Sequence, residues 1–276
     1  MDRRGGKRGG ADIDLGLNGK VAWLTGASSG IGRAAAESLA REGASVAISS
    51  RGEERLATAA SEIADATGSR CIPLPLDISD HAAIEGAHAR VLDELGAVDI
   101  LLANAGGPPP GTFDTVNDDK LSAGFDSTIA GPWNLVRAVV PGMKEKGAGA
   151  LIFVTSWSTK EVIPGLLLSN MLRASIVGFA KTLSKELGPH GIRTACIAPG
   201  RIDTDRLREL DEINAERSGR TVDEVRTASA ETIPLRRYGR PEELGDVIAF
   251  LASERASYIT GVTSVIDGGL LNGLLS

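Results

Sequence analysis

Short β-branched runs alternate with longer amphipathic stretches along most of the chain, and this alternation restricts the possible folds more than any other feature. The runs KVAWLT and SVAISS near the amino terminus are separated by the helix-like stretch IGRAAAESLAREG, and the same order recurs until the run TSVID. Parallel strands need a crossover, usually a helix, between them, so this order is typical of βαβ units. The sequence therefore predicts an α/β fold, a doubly wound parallel sheet with helices on both faces.

The length of the chain fits one domain. It has 276 residues, of which 42% are hydrophobic, and these can bury a single core. We expect one domain over residues 19–276, after a basic, glycine-rich arm at residues 1–18 that is disordered or serves as an anion-binding tail. Residues 202–237 are charged and helical in pattern; they form a lid over a ligand at the strand ends or a surface insertion without function.

Charge and cysteine usage limit the class of partner. The net charge is −6, so the chain has no general basic field for nucleic acid or an anionic membrane. It contains no apolar run of the roughly 18 residues that a membrane span needs. Cys71 and Cys196 stand in strand-like runs, which favours buried thiols in a reducing compartment. We therefore expect a cytoplasmic protein with a small-molecule substrate, and no nucleic acid or membrane partner.

A glycine-rich turn stands between the first strand and the first helix, with the spacing GxxxGxG. Glycines permit the tight turn and let the backbone approach a diphosphate, whose charge is met by the helix N-terminus. The order strand, turn, helix therefore predicts a Rossmann-like dinucleotide site. Its residues are Thr25, Gly26, Ser28, Ser29, Gly30, Ile31 and Gly32.

The end of the second strand indicates which coenzyme is bound. An NAD protein places an acidic residue there to accept hydrogen bonds from the ribose hydroxyls. This chain has Ser50 followed by Arg51, and a guanidinium suits a 2′-phosphate. We therefore predict NADP. NAD stays open as the alternative, because no second basic residue stands in the glycine turn to bind the 2′-phosphate.

Further segments, in the same order and spacing, resemble the short-chain dehydrogenase/reductase family from about Gly19 to Leu270. The resemblance implies that Asp77 and Ile78 contact the adenine and that Asn104, Ala105 and Gly106 line the coenzyme. The loop PGRIDT is similar to the family's PGxIxT loop. In that loop the backbone near Ile202 and the hydroxyl of Thr204, after Pro199 and Gly200, would meet the nicotinamide amide.

The catalytic residues depart from the family's pattern. Typical members use a tyrosine as general acid/base, a lysine four residues later, a serine that holds the substrate oxygen and an asparagine that supports a water chain. Here Ser156 stands at the serine position, Ser169 at the tyrosine position, Arg173 at the lysine position and Thr128 at the asparagine position. In this the chain is similar to a divergent ketoacyl-reductase-like subgroup that lacks the Tyr/Lys pair.

Another group must then handle the proton. We expect Lys160 to do so, since a lysine in a water-poor cleft can have a lowered pKa; the alternative is a solvated loop lysine. Ser156 and Ser169 could still donate to a substrate carbonyl, while Arg173 either holds a carboxylate substrate or contacts the coenzyme ribose. His81, His88 and His190 lack the spacing of a metal site, so we expect no metal.

Three hypotheses on function follow. The first is an NADP-dependent oxidoreductase that transfers hydride to or from a carbonyl, alcohol, imine or enone. The second is a non-redox lyase, dehydratase or dehalogenase-like enzyme, and the third a protein that binds NADP(H) without turnover. The predicted helices at 118–146 and 168–187 carry apolar faces, so the resemblance further implies a homotetramer or homodimer; alternatively those faces pack only on their own sheet.

Overall fold

The computed structural model describes residues 14–274. Seven parallel strands form one sheet in the order β3-β2-β1-β4-β5-β6-β7. The strand order reverses between β1 and β4, which is where open α/β sheets bind ligands. The predicted doubly wound parallel sheet is thus confirmed. The strands are β1 Val21–Thr25, β2 Ser45–Ser50, β3 Cys71–Pro75, β4 Ile100–Ala103, β5 Gly149–Val154, β6 Ile192–Pro199 and β7 Val262–Ile266.

Helices cover both faces of the sheet. Leu39, Leu56 and Leu244 pack into one hydrophobic core, while Ile84, Leu135 and Ile176 pack into another on the opposite face. Because both faces are covered, β1, β4 and most of β5 are buried without alternation, as parallel strands usually are. The helices are α1 Gly30–Arg41, α2 Glu53–Thr67, α3 His81–Glu94, α4 Asp118–Phe125, α5 Gly131–Lys146, α6 Leu167–Leu187, α7 Asp205–Ser218, α8 Val222–Thr232 and α9 Pro241–Ala252.

The helix predicted at 118–146 is not uniformly α-helical. Between α4 and α5 the chain forms a π-helical turn, Asp126–Ala130. Single π-turns inside helices often mark functional sites, and this one carries Thr128. The hydrophobic period alone could not show the turn, because an extra residue in one turn barely changes the pattern.

The charged stretch 202–237 contains two helices, α7 and α8. A buried carboxylate, Asp211, anchors them to the body of the protein. It accepts a hydrogen bond from the Tyr238 hydroxyl at 3.1 Å and lies 3.4 and 3.5 Å from guanidinium nitrogens of Arg201 and Arg226. The two helices are therefore tied to the loop that follows β6, at the carboxyl edge of the sheet.

The structure also bears on the amino-terminal arm and on the cysteines. Residues 1–13 of the predicted arm lie outside the described residues, whereas residues 14–18 pack against the segment near Glu254, with Leu17 buried. Those five residues therefore belong to the folded part of the chain. Burial raises the pKa of both thiols to about 12; Cys196 is fully buried, and Cys71 is partly buried. Among residues 14–274, no helix is long and apolar enough to cross a membrane.

Candidate active site

The glycine turn leaves no room for side chains at its closest approaches. Gly26 and Gly30 have φ angles of +58° and +55°, which L-residues rarely adopt. A Cβ atom on Gly32 would lie 2.3 Å from the carbonyl oxygen of Gly26. Ser29 makes no side-chain capping bond to α1, and the first turn of α1 has no acidic residue. The N–H groups and the positive end of α1 therefore stay available for a diphosphate.

Thr25 and Asn104 fix the turn from below. The Thr25 hydroxyl donates to the carbonyl oxygen of Asn104 at 2.8 Å, and the Asn104 amide group donates to the carbonyl oxygen of Gly26 at 3.1 Å. This pair joins the end of β1 to the end of β4. Asn104 thus shapes the turn, and its contact with a coenzyme stays a prediction.

The adenosine end of the predicted site contains an unsatisfied polar atom. The hydroxyl of Ser50 is buried and has no hydrogen-bond partner, a costly state that a ligand oxygen would relieve. Arg51 beside it is exposed at the same edge, and its charge helps to lower the pKa of Asp77, after the larger effect of hydrogen bonds from Ser79. Ser50 and Arg51 therefore fit a ribose with a 2′-phosphate.

The loop after β6 closes the other side of the glycine turn. The methyl group of Thr204 lies 3.1 Å from the position that a Cβ on Gly30 would take. The Thr204 hydroxyl caps α7 by accepting from the Leu207 N–H at 3.3 Å. Ile202 is buried, and Gly200 lies against Asp267 so closely that a Cβ would be 2.6 Å away. The remaining predicted coenzyme residues lie at the carboxyl edge of the same strands; they are Ser28, Ile31, Ile78, Ala105, Gly106 and Pro199.

Three serines form a cluster next to this edge. Ser156 follows β5, and its side chain accepts a hydrogen bond from the Ser158 N–H at 3.1 Å. The hydroxyls of Ser158 and Ser169 are 3.3 Å apart, and both side chains are buried. Ser158 is not among the residues predicted from the sequence; its position two residues after Ser156 is the signal that could indicate it.

Arg173 lies one helical turn beyond Ser169 on α6. One terminal nitrogen donates to the carbonyl oxygens of Val154 and Thr155, both at 2.9 Å, directly before Ser156. Burial, and then the positive charge of Arg206, lower the pKa of Arg173 to about 10. Arg206 on α7 is the second residue that the sequence analysis missed, since only the fold brings it to Arg173.

Thr128 and Lys160 have opposite surroundings. The Thr128 hydroxyl is buried in the π-helical turn and has no hydrogen-bond partner. A buried hydroxyl without a partner fits the water-chain role expected at this position. Lys160, in contrast, is exposed at the end of the short 3₁₀ helix Trp157–Thr159. This exposure fits the alternative of a solvated loop lysine, and Lys160 as the proton donor stays a prediction.

Comparison with known proteins places the chain in a family. Residues 26–271 match the family described as enoyl-(acyl carrier protein) reductase. The chain belongs to the short-chain dehydrogenase/reductase family. Oxidoreductase UcpA of Salmonella typhimurium is 36% identical over 92% of this chain and 95% of its own length. The 3-oxoacyl-[acyl-carrier-protein] reductase FabG of Chlamydia muridarum is 34% identical over 92% and 98%.

A solved relative has the same fold. The crystal structure of L-sorbose reductase from Gluconobacter frateurii, complexed with NADPH and L-sorbose, covers 95% of this chain and all of its own with a TM-score of 0.90 and 33% identity. The predicted family, fold and activity class, an NAD(P)-dependent oxidoreductase, are confirmed. The relatives' names favour this first hypothesis over the non-redox and non-catalytic ones.

Proposed function

We propose that this enzyme is an NADPH-dependent reductase of a carbonyl, imine or enone, and that the Ser156, Ser158 and Ser169 hydroxyls hold the group that accepts the hydride. The observation that carries the proposal is the position of this cluster at the carboxyl edge of the sheet. Ser156 follows β5, and β5 pairs with β4, on the same edge as the glycine turn. The predicted coenzyme, NADP, is supported by the relative that holds NADPH and by the unpartnered Ser50 hydroxyl beside Arg51.

Each element of the site has a task in this proposal. The glycine turn and the N-terminus of α1 hold the diphosphate, and Thr204 closes the cleft from the other side. When bound, the coenzyme supplies the hydride. Ser156 and Ser169 donate hydrogen bonds to the substrate oxygen and so stabilise the negative charge that develops on it. Arg173 keeps the end of β5 in place through its bonds to Val154 and Thr155.

Reduction also needs a proton on the substrate oxygen. A serine hydroxyl is a poor acid, so we propose that the serine cluster relays a proton from water rather than supplying its own. Without a positioned general acid the reaction loses a factor of about 10²–10⁴ in rate. Substrates that need little proton assistance, such as enones or activated ketones, are therefore the best candidates.

A spectroscopic assay tests the proposal. Purified protein with NADPH is incubated with a panel of ketones, aldehydes, imines and enones, and loss of the reduced-nicotinamide absorbance is followed. We expect turnover on at least one class, reduced about 10-fold or more by Ser156→Ala and little changed by Ser61→Ala, a serine on the exposed face of α2. Saturated coenzyme binding with no turnover on any class would contradict the proposal.

A double variant separates a catalytic site from a binding site without turnover. Ser169→Tyr with Arg173→Lys restores the residue pair of typical family members. We expect it to raise the rate of carbonyl reduction, because a phenol donates a proton more readily than an alkyl hydroxyl. If only the double variant turns over any substrate while the parent never does, the parent is a binding protein and the proposal is wrong.

We further propose that the chain forms a homodimer or homotetramer through α5 and α6. These helices line an apolar groove that contains Trp133, Val140, Phe179 and Leu183, and the side chain of Trp133 is 49% exposed. An exposed aromatic in an apolar groove is typical of a protein interface.

We also propose that α7 and α8 act as a lid at residues 202–237. The two free thiols further support the proposal that the enzyme is cytoplasmic.

A further inference from the structure

Two guanidinium groups meet at the nicotinamide end of the predicted cleft. Gly107 follows the coenzyme-lining segment at Asn104, and it has no side chain. A Cβ on Gly107 would lie 3.6 Å from a terminal nitrogen of Arg173 and 3.8 and 3.9 Å from two nitrogens of Arg206. Both arginines therefore reach the same point, one from α6 and the other from the start of the lid.

The two charges at this point are poorly compensated. Within residues 14–274 the side-chain hydrogen bonds of Arg173 go to backbone carbonyls. Arg206 pairs with the exposed Glu209 at 3.2 Å, and one of its terminal nitrogens makes a long hydrogen bond of 3.5 Å to the carbonyl oxygen of Pro108. Asp205, the acid next to Arg206, is in contact with Arg55 and lies 3.7 Å from Arg208. Like charges repel, and a cation in the first turn of a helix is also disfavoured by the helix dipole.

An oxyanion between the two arginines would offset both costs. Arg173 uses one terminal nitrogen on the β5 carbonyls and keeps the other directed at Gly107. Arg206 presents its Nε and a terminal nitrogen at the same point. Guanidinium N–H groups arranged in this way suit the two oxygens of a carboxylate.

We propose that Arg173 and Arg206 bind a carboxylate carried by the substrate. This inference rests on the proposed function, because it places the substrate next to the serine cluster. Arg173 lies four residues from Ser169 on α6, slightly more than one helical turn or about 6 Å along the axis. A carboxylate and a reducible carbonyl or alkene only a few bonds apart match this spacing, so the substrate class is that of short oxo or enoic acids.

Binding without turnover provides the first test. Protein saturated with NADP⁺ is titrated calorimetrically with 2-oxo, 3-oxo and 2-enoic acids and with the methyl ester of each. We expect at least one acid to bind about 10- to 100-fold more tightly than its ester, as loss of a charge-assisted pair predicts. Arg206→Gln removes this preference, and Arg206→Lys restores part of it. Arg208→Gln, which removes a charge two residues away on α7, retains the preference.

A second arm distinguishes a substrate carboxylate from the phosphates of the coenzyme. The NADPH dissociation constant of Arg206→Gln is expected to stay within about 3-fold of the parent's value. The reason is that the Arg206 guanidinium binds the substrate carboxylate and not a coenzyme phosphate. An Arg206→Gln variant that keeps the acid preference, or one that loses NADPH affinity 10-fold or more, would overturn the inference. So would a panel in which no acid outcompetes its ester. Failure of the proposed function is a separate result: acids bind through Arg206, yet no NADPH is oxidised.

Discussion

At the scale of single residues, two of the predicted site positions carry buried hydroxyls that the protein leaves unsatisfied. The buried hydroxyls of Ser50 and Thr128 have no hydrogen-bond partners within residues 14–274. Folded proteins rarely tolerate such atoms unless a ligand or water completes them. Two measurements on single substitutions therefore test the site without knowledge of the substrate.

Arg51 is expected to set the coenzyme preference. Arg51→Ala should weaken NADPH binding roughly 10- to 100-fold, because one charge-assisted contact to the 2′-phosphate is lost. NADH binding should change little, as NADH lacks that phosphate. Titrations with both coenzymes check this, with Arg41→Ala, an exposed arginine at the end of α1, as the control. Equal losses for NADPH and NADH would contradict the assignment.

The buried Thr128 hydroxyl is expected to reduce the stability of the folded protein and to be needed for activity. Thr128→Val removes the unpartnered buried oxygen and should stabilise the coenzyme-free protein by about 1 kcal/mol. Reductase activity should fall. Thr155→Val is a matched control with the opposite sign, because the Thr155 hydroxyl donates to the carbonyl oxygen of Ile197 at 2.9 Å. Thermal unfolding of both variants measures the effect; a Thr128→Val protein less stable than the parent would rule out this view of the residue.

At the scale of elements, the segment before α9 supports the loop that bears Thr204. Gly239 pairs with Ile202 in a short parallel bridge. Glu243, in the first turn of α9, accepts two hydrogen bonds from Arg237 at 2.7 Å and one from the Arg240 N–H at 2.7 Å. These contacts join the start of α9 to the segment that pairs with the loop after β6.

The stability of this junction should depend on acidity. The Arg237 guanidinium, followed by the Arg240 N–H, lowers the pKa of Glu243 from 4.5 to about 2. A carboxyl group whose pKa is lowered by folding contributes its full stabilisation at pH values above its unfolded pKa, here 4.5. This contribution is lost as the pH falls through the folded pKa of about 2. Unfolding by denaturant between pH 5 and about 2 should therefore show a smaller loss of stability in Glu243→Gln than in the parent. Glu242→Gln, the neighbouring exposed carboxyl, serves as the control, and identical pH profiles for parent and Glu243→Gln would contradict the argument.

At the scale of the whole molecule, one sheet brings distant parts of the chain to a single edge. All of the following lie there: the glycine turn after β1, Ser50 at the end of β2, Asn104 after β4, Ser156 after β5 and the Thr204 loop after β6. Parallel strands make this unavoidable, since all their carboxyl ends point the same way. The same architecture leaves α5 and α6 on the outside, where the apolar groove at Trp133 lies.

The groove predicts a change of assembly. Trp133→Glu places a charge at an apolar surface and should shift the protein toward monomers in sedimentation velocity, because buried unpaired charges are costly. Phe113→Glu is the control: Phe113 is 86% exposed and is not among the residues that line the groove. A sedimentation coefficient that is the same in the parent and Trp133→Glu would show that α5 and α6 do not form the interface.

The order of elements could be predicted from the sequence, and candidate coenzyme residues could be proposed, because both depend on local patterns. Strand runs, glycine spacing and the Ser50–Arg51 pair can be recognised within a few residues. Side-chain contacts between distant segments could not be recognised in this way. Arg206 meets Arg173 only because the fold brings α7 next to Gly107, and the exposure of Lys160 depends on how the loop after β5 turns.

Because contacts between distant segments do not show in the sequence, only one of two neighbouring serines could be predicted. Ser169 was identified from the register of the family pattern, whereas its partner Ser158 was not, because their contact spans 11 residues and a helix start. The unpartnered hydroxyl of Thr128 likewise arises from a π-turn that hydrophobic periodicity does not encode.

Coenzyme binding by the glycine turn is the central claim, and titration of the purified enzyme with NADPH tests it most directly. Calorimetry should give saturable binding with one NADPH per chain, weakened at least about 10-fold by Gly32→Val, whose side chain would occupy the space against the Gly26 carbonyl. Heat changes indistinguishable from dilution, with NADPH and NADH alike, would contradict the account.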